Sequence, residues 1–351
     1  MRTFSALAGL LALSGAVSAA SWKNYNTEPP KAFPKDTPLP SSFAQQKTDA
    51  IIEKFTNLGR STTWNLVETV QMEGDTGEPE GMVRIGEDRW VISGGIWTTP
   101  TVKFPNNTWI NGTDRSNGAG WAKLLVYDSK GALLDNVTLS AEGAAEYHVG
   151  GIDYSAGYLW VTASQYRPFS TATVLRIDPH TYNVTEILKH KDHLGGIAVN
   201  PGERTIATLN WGSRNATVWK ASLVSNSKSS IDPLNWEFAA PSIDGVFAKP
   251  DAVVRNPSSY VDYQDCRFLG NAERYHGRAV MICSGVGPVL GGLAVVDVET
   301  MVPLYEVPLT LRSKTGGMMS QNPFDVDVVD GKIRFWFMPE QHNSTMYIYE
   351  A

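Results

Sequence analysis

Two stretches of the chain ask for the same chemistry. "EYHVGGIDYSAGYLWVTASQYRP" (146–168) and "KDHLGGIAVNPGERTIATLNWGSR" (191–214) each set a histidine before Gly-Gly-Ile. Each continues with a short alternating run, a turn and a second apolar run, and closes on aromatic and polar residues with an arginine. An imidazole titrates near pH 6.5, so His148 and His193 are candidates for general acid and base work near neutrality. With Glu80 of "EPEGM" as a third group, they also suit a divalent metal, Ca, Mg and Zn not being distinguished. Such an ion could polarise a carbonyl, or lower the pKa of bound water from about 15.7 toward 7. Glu78 is the alternative carboxylate. Either histidine alone reads more simply as a satisfied structural residue; two at equivalent positions, with Glu80 at a third, bring the chemical reading level with the structural one.

The surrounding elements must bring these residues together. From Thr62 onward, runs of four to eight alternating or apolar residues are separated by Gly, Asn, Asp and Pro, the pattern of β-strands. One two-hairpin unit is written five times. The units begin at "EGMVRIGEDRWVISGG", "HVGGIDYSAGYLWVTAS", "HLGGIAVNPGERTIATLNWG", "QDCRFLGNAERYHGRAVMICSG" and "QNPFDVDVVDGKIRFWFMPE". In the third unit, "ATVWKASLV" and "NWEFAAPS" are expected as the outer strands. Four antiparallel strands repeated radially form a β-propeller. The fold predicted is all-β, a single propeller of five four-stranded blades. Six is the alternative, because insertions after Gly95 and before Gln264 could hide strands. The last unit stops at its third strand, and "WNLVETVQM" (64–72) would supply the fourth. Gly-Gly suits inner strands that crowd the axis.

In that geometry the heads of first strands and the tails of second strands surround one mouth. The heads carry Glu80, His148, His193, Gln264 or Asp265, and Gln321 or Asn322. The tails carry Ser93 and Trp97, Tyr166 and Arg167, Asn210, Trp211 and Arg214, Ser284, and Glu340 and Gln341. Aromatic walls with a few convergent polar groups make a small-molecule site. Trp97, Tyr166, Arg167, Trp211, Arg214, Asp265, Asn322 and Glu340 are the candidate substrate contacts. Packing is the rival reading for the tryptophans, and bonds to neighbouring carbonyls for the arginines. Glu340 and Asp265 could form a separated acid/base pair of the glycosidase type. No G-x-S-x-G, H-E-x-x-H, P-loop or Rossmann fingerprint occurs, so no nucleotide cofactor is expected.

The rest of the chain places the protein. Residues 1–20 read as a signal peptide: Arg2, an apolar "ALAGLLALSGAV", then small residues for cleavage. Residues 21–60 hold a Pro-rich strap and a helix over "SFAQQKTDAIIEKFTNLG". Ser42 and Gln45 stand at capping-box spacing, Gly59 as the stop, and Ile51, Ile52, Phe55 and Leu58 on one face. The propeller then spans 61–351. Asn106, Asn111, Asn136, Asn183, Asn215 and Asn343 each open an Asn-x-Thr sequon, so N-glycosylation is expected. Cys266 and Cys283 are the only cysteines and a candidate disulfide, a reactive thiol being the alternative. A secreted, extracellular monomer is expected, with no membrane anchor. The net charge of −6 offers no basic stripe for nucleic acid.

"WNLVETV", "EPEGMVRIG", "YHVGGIDY", "YLWVTASQYRP", "VLRIDPHT", "DHLGGIAVN", "NWGSR" and "QNPFDVDVV" together resemble DUF6454, a family without assigned function in bacteria and fungi. The resemblance covers roughly Thr62 to the C-terminus. It implies a propeller-like fold and no particular reaction, and with the export signal it suggests a fungal, secreted member. The family pattern more often carries His and Gln where Glu78 and Glu80 stand, whereas His148 and His193 match. The reading is a secreted enzyme, a hydrolase or lyase, acting on a small molecule in the axial cup. The alternatives are a non-catalytic propeller binding a carbohydrate or other small ligand, and a cyclase-type protein of a secondary-metabolite pathway.

Overall fold

The computed structural model describes residues 22–223, 236–238, 246–258 and 260–351. The expected signal peptide, 1–20, therefore lies outside the described residues. Five four-stranded antiparallel sheets follow one another around an axis. After β1 (Asn65–Gln71), blade 1 comprises β2 (Glu78–Ile85), β3 (Arg89–Thr99), β4 (Ala119–Asp128) and β5 (Leu133–Thr138). Blade 2 comprises β6 (His148–Ser155), β7 (Tyr158–Ser164), β8 (Ala172–Ile177) and β9 (Val184–His190). Blade 3 begins with β10 (Gly196–Asn200), β11 (Thr205–Leu209) and β12 (Asn215–Lys220).

The outer strand of blade 3 is not the one expected. Part of "NWEFAAPS" forms β14 (Trp236–Glu237), which pairs with β13 (Ser222–Leu223) as a separate ribbon. The outer position belongs to β15 (Ala252–Arg255), paired with β12. A two-residue ribbon leaves most of the β12 edge unpaired, and β15 satisfies it. Blade 4 is β16 (Asp262–Ala272), β17 (Arg278–Val286), β18 (Gly291–Asp297) and β19 (Pro303–Leu309). The last sheet is β20 (Phe324–Val329), β21 (Lys332–Phe337) and β22 (Thr345–Glu350), with β1 hydrogen-bonded to β22. The insertion after β3 carries only the isolated bridges Lys103–Arg115 and Ile110–Thr113, so the blade count is five.

Alternation along the strands gives each blade two apolar faces, and the core divides accordingly. Five buried clusters fill the five gaps between blades, with the largest side chains, such as Trp160, Trp219 and Tyr127, fully buried. Burying a large apolar side chain contributes about 1.5–3 kcal/mol. Polar staples recur in the same gaps. Ser93 donates to the Gly150 carbonyl (2.6 Å), Ser164 to that of Leu194 (2.8 Å), and Ser213 accepts from Tyr263 N–H (2.9 Å). Deeper, inner-strand aspartates accept from the next blade's backbone: Asp153 from Val199, Asp265 from Phe324 and Asp325 from Arg84. The glycine pairs face each other at the axis. A Cβ on Gly150 would stand 2.4 Å from the Gly195 carbonyl oxygen, so no side chain fits there.

The helical segment packs as expected but breaks in two. Helix α1 (Phe43–Gln46) and helix α2 (Thr48–Phe55) meet at Lys47, which leaves helical geometry. Ser42 makes no side-chain cap, and α2 ends before Gly59, whose N–H instead donates to Thr62 Oγ1 (2.8 Å). Tertiary contacts outweigh local capping here. Lys47 reaches Asp327 (2.7 Å) and Thr48 reaches the Leu269 carbonyl, two contacts that a continuous helix would not offer together. Ile51, Ile52, Phe55 and Leu58 are buried against blades 4 and 5. The strap lies along blade 1, its Tyr25 N–H on the Thr138 carbonyl and its Lys31 and Ala32 N–H groups on Asp135. Cys266 and Cys283 sit opposite each other on β16 and β17 and are disulfide-bonded.

Candidate functional site

The mouth is a cup of about 420 Å³ fed by all five blades. Its wall includes Glu78 and Glu80 from β2, His148 from β6, Tyr166 after β7, and His193, Asn210 and Trp211 around blade 3. Asp262, Tyr263, Gln264 and Val286 come from blade 4, and Gln321, Asn322 and Gln341 from the last blade. Three inner strands bulge at this end. Glu80, the pair Gly150 and Gly151, and Gln264 all fall where pairing with the neighbouring strand skips. A bulge re-aims a side chain and so suits a site.

The chemical residues gather on one side. Ligand atoms of Glu78, Glu80 and His148 all lie within 4.8 Å of one another. His148 is buried, and its Nε2 lies 3.3 Å from Glu80 Oε1. That is an ion-pair distance without hydrogen-bond alignment, and neither ring nitrogen has a hydrogen-bond partner. Glu78 Oε1 accepts from Tyr166 OH (3.0 Å) and from Gln341 Nε2 (2.8 Å). Among the described residues, neither glutamate has a lysine or arginine at ion-pair distance. Burial, then the Glu80 charge, pushes the Glu78 carboxyl up to about 7, against the opposing pull of His148. Burial pulls His148 down, but Glu80 and then Glu78 outweigh it, so its pKa ends above the usual histidine value.

His193 has the opposite character. Its Nδ1 is 2.8 Å from the Gln165 carbonyl and donates to it, which leaves Nε2 unprotonated. Burial, then the neighbouring His148, pushes its pKa down to about 3. The two imidazole rings are 5.2 Å apart. Environment thus moves two sequence-equivalent histidines in opposite directions, one above and one below the usual value, a separation typical of acid/base sites.

The ligand set expected from sequence was His148, His193 and Glu80. In the gathered cluster Glu78 stands in place of His193. The reason is local: the Gln165 carbonyl fixes the His193 ring, whereas Glu78 and Glu80, two apart on one strand, share a face.

Of the expected substrate contacts, Tyr166, Trp211 and Asn322 line the cup and five do not. Asp265 is fully buried at the axis, in a two-pronged ion pair with Arg267 (2.6 and 2.9 Å). Glu340 is buried and accepts from Tyr347 OH (2.7 Å) and Thr345 N–H (3.3 Å). The two therefore form no separated acid/base pair across the mouth; each is committed to the scaffold. Arg167 folds back onto Gln165 Oε1 (2.9 Å), and Arg214 is exposed at the rim. Trp97 stands behind Tyr166, ring centres 6.2 Å apart. Ser93 and Ser284 are blade staples.

Asp262, Tyr263 and Gly212 were not anticipated in the cup, and no sequence signal pointed to Asp262 or Tyr263: both precede the strand start expected at Gln264. Arg115 was not anticipated either. It reaches from the insertion after β3 to lie over the Trp211 ring (4.7 Å), held by Asp114 through two bonds (2.7 and 2.9 Å).

The DUF6454 family profile matches residues 40–351, the helices and the whole propeller. The chain belongs to DUF6454, a family of unknown function. No curated protein matches the sequence. Solved structures share only a general likeness with this DUF6454 protein. Regucalcin from Agrobacterium tumefaciens, a calcium-binding protein, is 10% identical over 80% of this chain and 90% of its own, with a TM-score of 0.38. A luciferin-regenerating enzyme is 9% identical over 81% and 95%, with a TM-score of 0.39. The PQQ-bound aldose sugar dehydrogenase of Streptomyces coelicolor is 10% identical over 82% and 98%, with a TM-score of 0.35. Likenesses this distant say nothing about the chemistry of the cup.

Proposed function

We propose that this protein is an enzyme, a hydrolase or lyase, acting on a small molecule in the axial cup with a divalent cation held by Glu78, Glu80 and His148. One observation carries the reading. Two carboxylates and a buried imidazole whose ring nitrogens lack hydrogen-bond partners converge within 4.8 Å, and among the described residues no lysine or arginine reaches the carboxylates. Buried like charges are costly unless paired or metal-bound, and oxygen with imidazole nitrogen is a donor set suited to divalent ions. A bound cation would supply Lewis-acid polarisation or an activated water.

The surrounding side chains divide the remaining tasks. Tyr166 and Gln341 orient the Glu78 carboxylate by donating to Oε1. His193, held neutral, presents Nε2 as an acceptor that can orient a water or a substrate hydroxyl. Trp211 offers little free face as a stacking platform, since Arg115 covers one side and Tyr166 and His193 press on it edge-on.

The setting belongs to the same proposal. Residues 1–20 act as an export leader and 21–60 as a strap and helix on a propeller of 61–351. The sequon asparagines carry glycans; five of the six are exposed and Asn215 is half-buried. The disulfide fits an oxidising compartment, and among the described residues no helix is long and apolar enough to cross a membrane.

Metal content of the purified protein tests the centre, together with calorimetric titration of the chelated protein by Ca²⁺, Mg²⁺, Mn²⁺ and Zn²⁺. At least one ion is expected to bind at one per chain, and Glu80→Gln with His148→Ala is expected to abolish binding while the far-ultraviolet spectrum is retained. No binding by any of the four ions would overturn the metal reading.

A further inference from the structure

The charges and amides of the cup restrict what it can hold. Among the described residues, no lysine or arginine belongs to its lining. Arg167, Arg214 and Arg115 are near in sequence or space, but the first is folded onto Gln165, the second is exposed at the rim, and the third is committed to Asp114 and Trp211. An anionic ligand would meet Glu78, Glu80 and Asp262 with no guanidinium or ammonium in the lining to receive it, the Arg214 charge at the rim acting on Asp262. A ligand ammonium would compete with the proposed cation for Glu78 and Glu80, Asp262 already accepts from Ser213, and the Trp211 face is occupied by Arg115.

What the wall offers instead is carboxamide. Asn210 and Gln321 are consumed by the scaffold, both ends of each amide being bonded. Three others keep capacity. Asn322 Nδ2 is buried with no partner. Gln341 and Gln264 spend their Nε2 groups on Glu78 and on the Asp262 carbonyl, leaving Oε1 to accept. Across the cup, His193 Nε2 is a further bare acceptor. Three acceptors and a buried unpaired donor match groups that donate and accept at once, which is the property of a hydroxyl. Leaving the Asn322 donor unmet costs about 1–3 kcal/mol, which a ligand hydroxyl would recover.

We infer that the ligand is an uncharged, hydroxyl-rich molecule of about one or two sugar rings, with neighbouring hydroxyls on Asn322, Gln341 and Gln264 and one hydroxyl directed at His193 Nε2. The cup volume of about 420 Å³ sets the size. This rests on the cup being the ligand site, and it replaces the expectation that Arg167 and Arg214 contact the substrate.

The test is a binding panel on the full-length protein, by calorimetry and thermal shift, with and without divalent cation. Pentoses, hexoses, hexitols and neutral disaccharides are compared with the matching uronic acids, sugar phosphates and amino sugars. At least one neutral compound is expected to bind, with its charged counterparts at least about tenfold weaker. Asn322→Leu and Gln264→Leu should each weaken it by about tenfold or more. Asn322→Leu should also leave the melting temperature of the free protein unchanged or higher, because the wild-type Nδ2 bonds nothing. Charged counterparts binding as well as the neutral compound, no neutral compound binding, or unchanged affinity in both leucine variants would overturn the inference. Neutral sugar binding without any metal binding would leave this inference standing and sink the metal centre. Metal binding with a preference for charged ligands would do the reverse.

Discussion

Two groups of buried charges sit on the inner strands of this propeller, and they are treated differently. At the axis, the Arg267 guanidinium pairs with Asp265 and donates to the carbonyls of Met82, Ile152, Cys266 and Phe324, which belong to four different blades. Asp153 and Asp325 stand nearby with backbone N–H partners of their own. At the mouth, Glu78, Glu80 and His148 are as close to one another but lack that compensation. One group closes the ring of blades, whereas the other leaves charge and coordination unsatisfied toward an open cup. The axial network leaves only Arg267 Nε without a partner and reads as structure, whereas the mouth leaves both His148 ring nitrogens bare and reads as a site.

The sharpest way to break this comparison is to remove one member of each group. Arg267→Leu leaves Asp265 buried without its partner and should cost about 3–5 kcal/mol, seen as a large drop in the denaturant midpoint or failure to fold. Glu78→Gln in metal-free protein should do the opposite and be neutral or stabilising, because it removes an uncompensated charge. Comparable losses in both variants would erase the distinction.

The pH dependence of stability separates the mouth further. Glu78 binds its proton more tightly folded than unfolded, so its contribution is present below about 4.5 and is lost as pH rises to about 7. The loss should reach about 3 kcal/mol in the metal-free protein. His193 acts in the other sense: its pKa is depressed to about 3, so stability is lost as pH falls from about 6.5 toward 3. The two overlap in the wild type. Asp153, pushed up to about 7 by burial, and Asp265, pushed up to about 6, titrate in the same window, so the Glu78 slope is the difference between His193→Gln and the His193→Gln/Glu78→Gln double variant. No difference between those two profiles from pH 4.5 to 7 would contradict the raised Glu78 value.

Metal affinity provides a third measure. It should strengthen as pH rises through about 7, because the ligand must lose its proton. Glu80→Gln should weaken it by at least about a hundredfold. Affinity unchanged in Glu80→Gln would move the ion elsewhere. The smallest effect concerns Arg115, whose contact with Trp211 contributes about 0.5–1 kcal/mol. Arg115→Ala should shift thermal stability only slightly and leave metal affinity unchanged. A loss of metal binding there would tie the insertion to the centre.

Much of the arrangement could be read from the chain. The five repeats and the meeting of His148, His193, Glu80, Tyr166, Trp211 and Asn322 follow from strand alternation and from glycine at a crowded axis. The break at Lys47 and the strand at Ala252–Arg255 could not be read, because both depend on partners supplied by distant blades. Asp265 and Glu340 were misplaced for a related reason: a residue at the head or tail of a strand points to the mouth or the scaffold according to a one-residue step, and bulges alter that step.

The linear order of residues was enough to specify a ring of blades with imidazoles and carboxylates meeting at one end of it. It could do so because hydrophobic period and glycine placement are local properties. Four outcomes were settled by tertiary packing: the His148 pKa is raised, that of His193 is lowered, Glu78 joins the cluster, and among the described residues no arginine lines the cup. Those outcomes depend on burial, on a single carbonyl at Gln165 and on partners brought from other blades, and such fields act through space rather than along the chain.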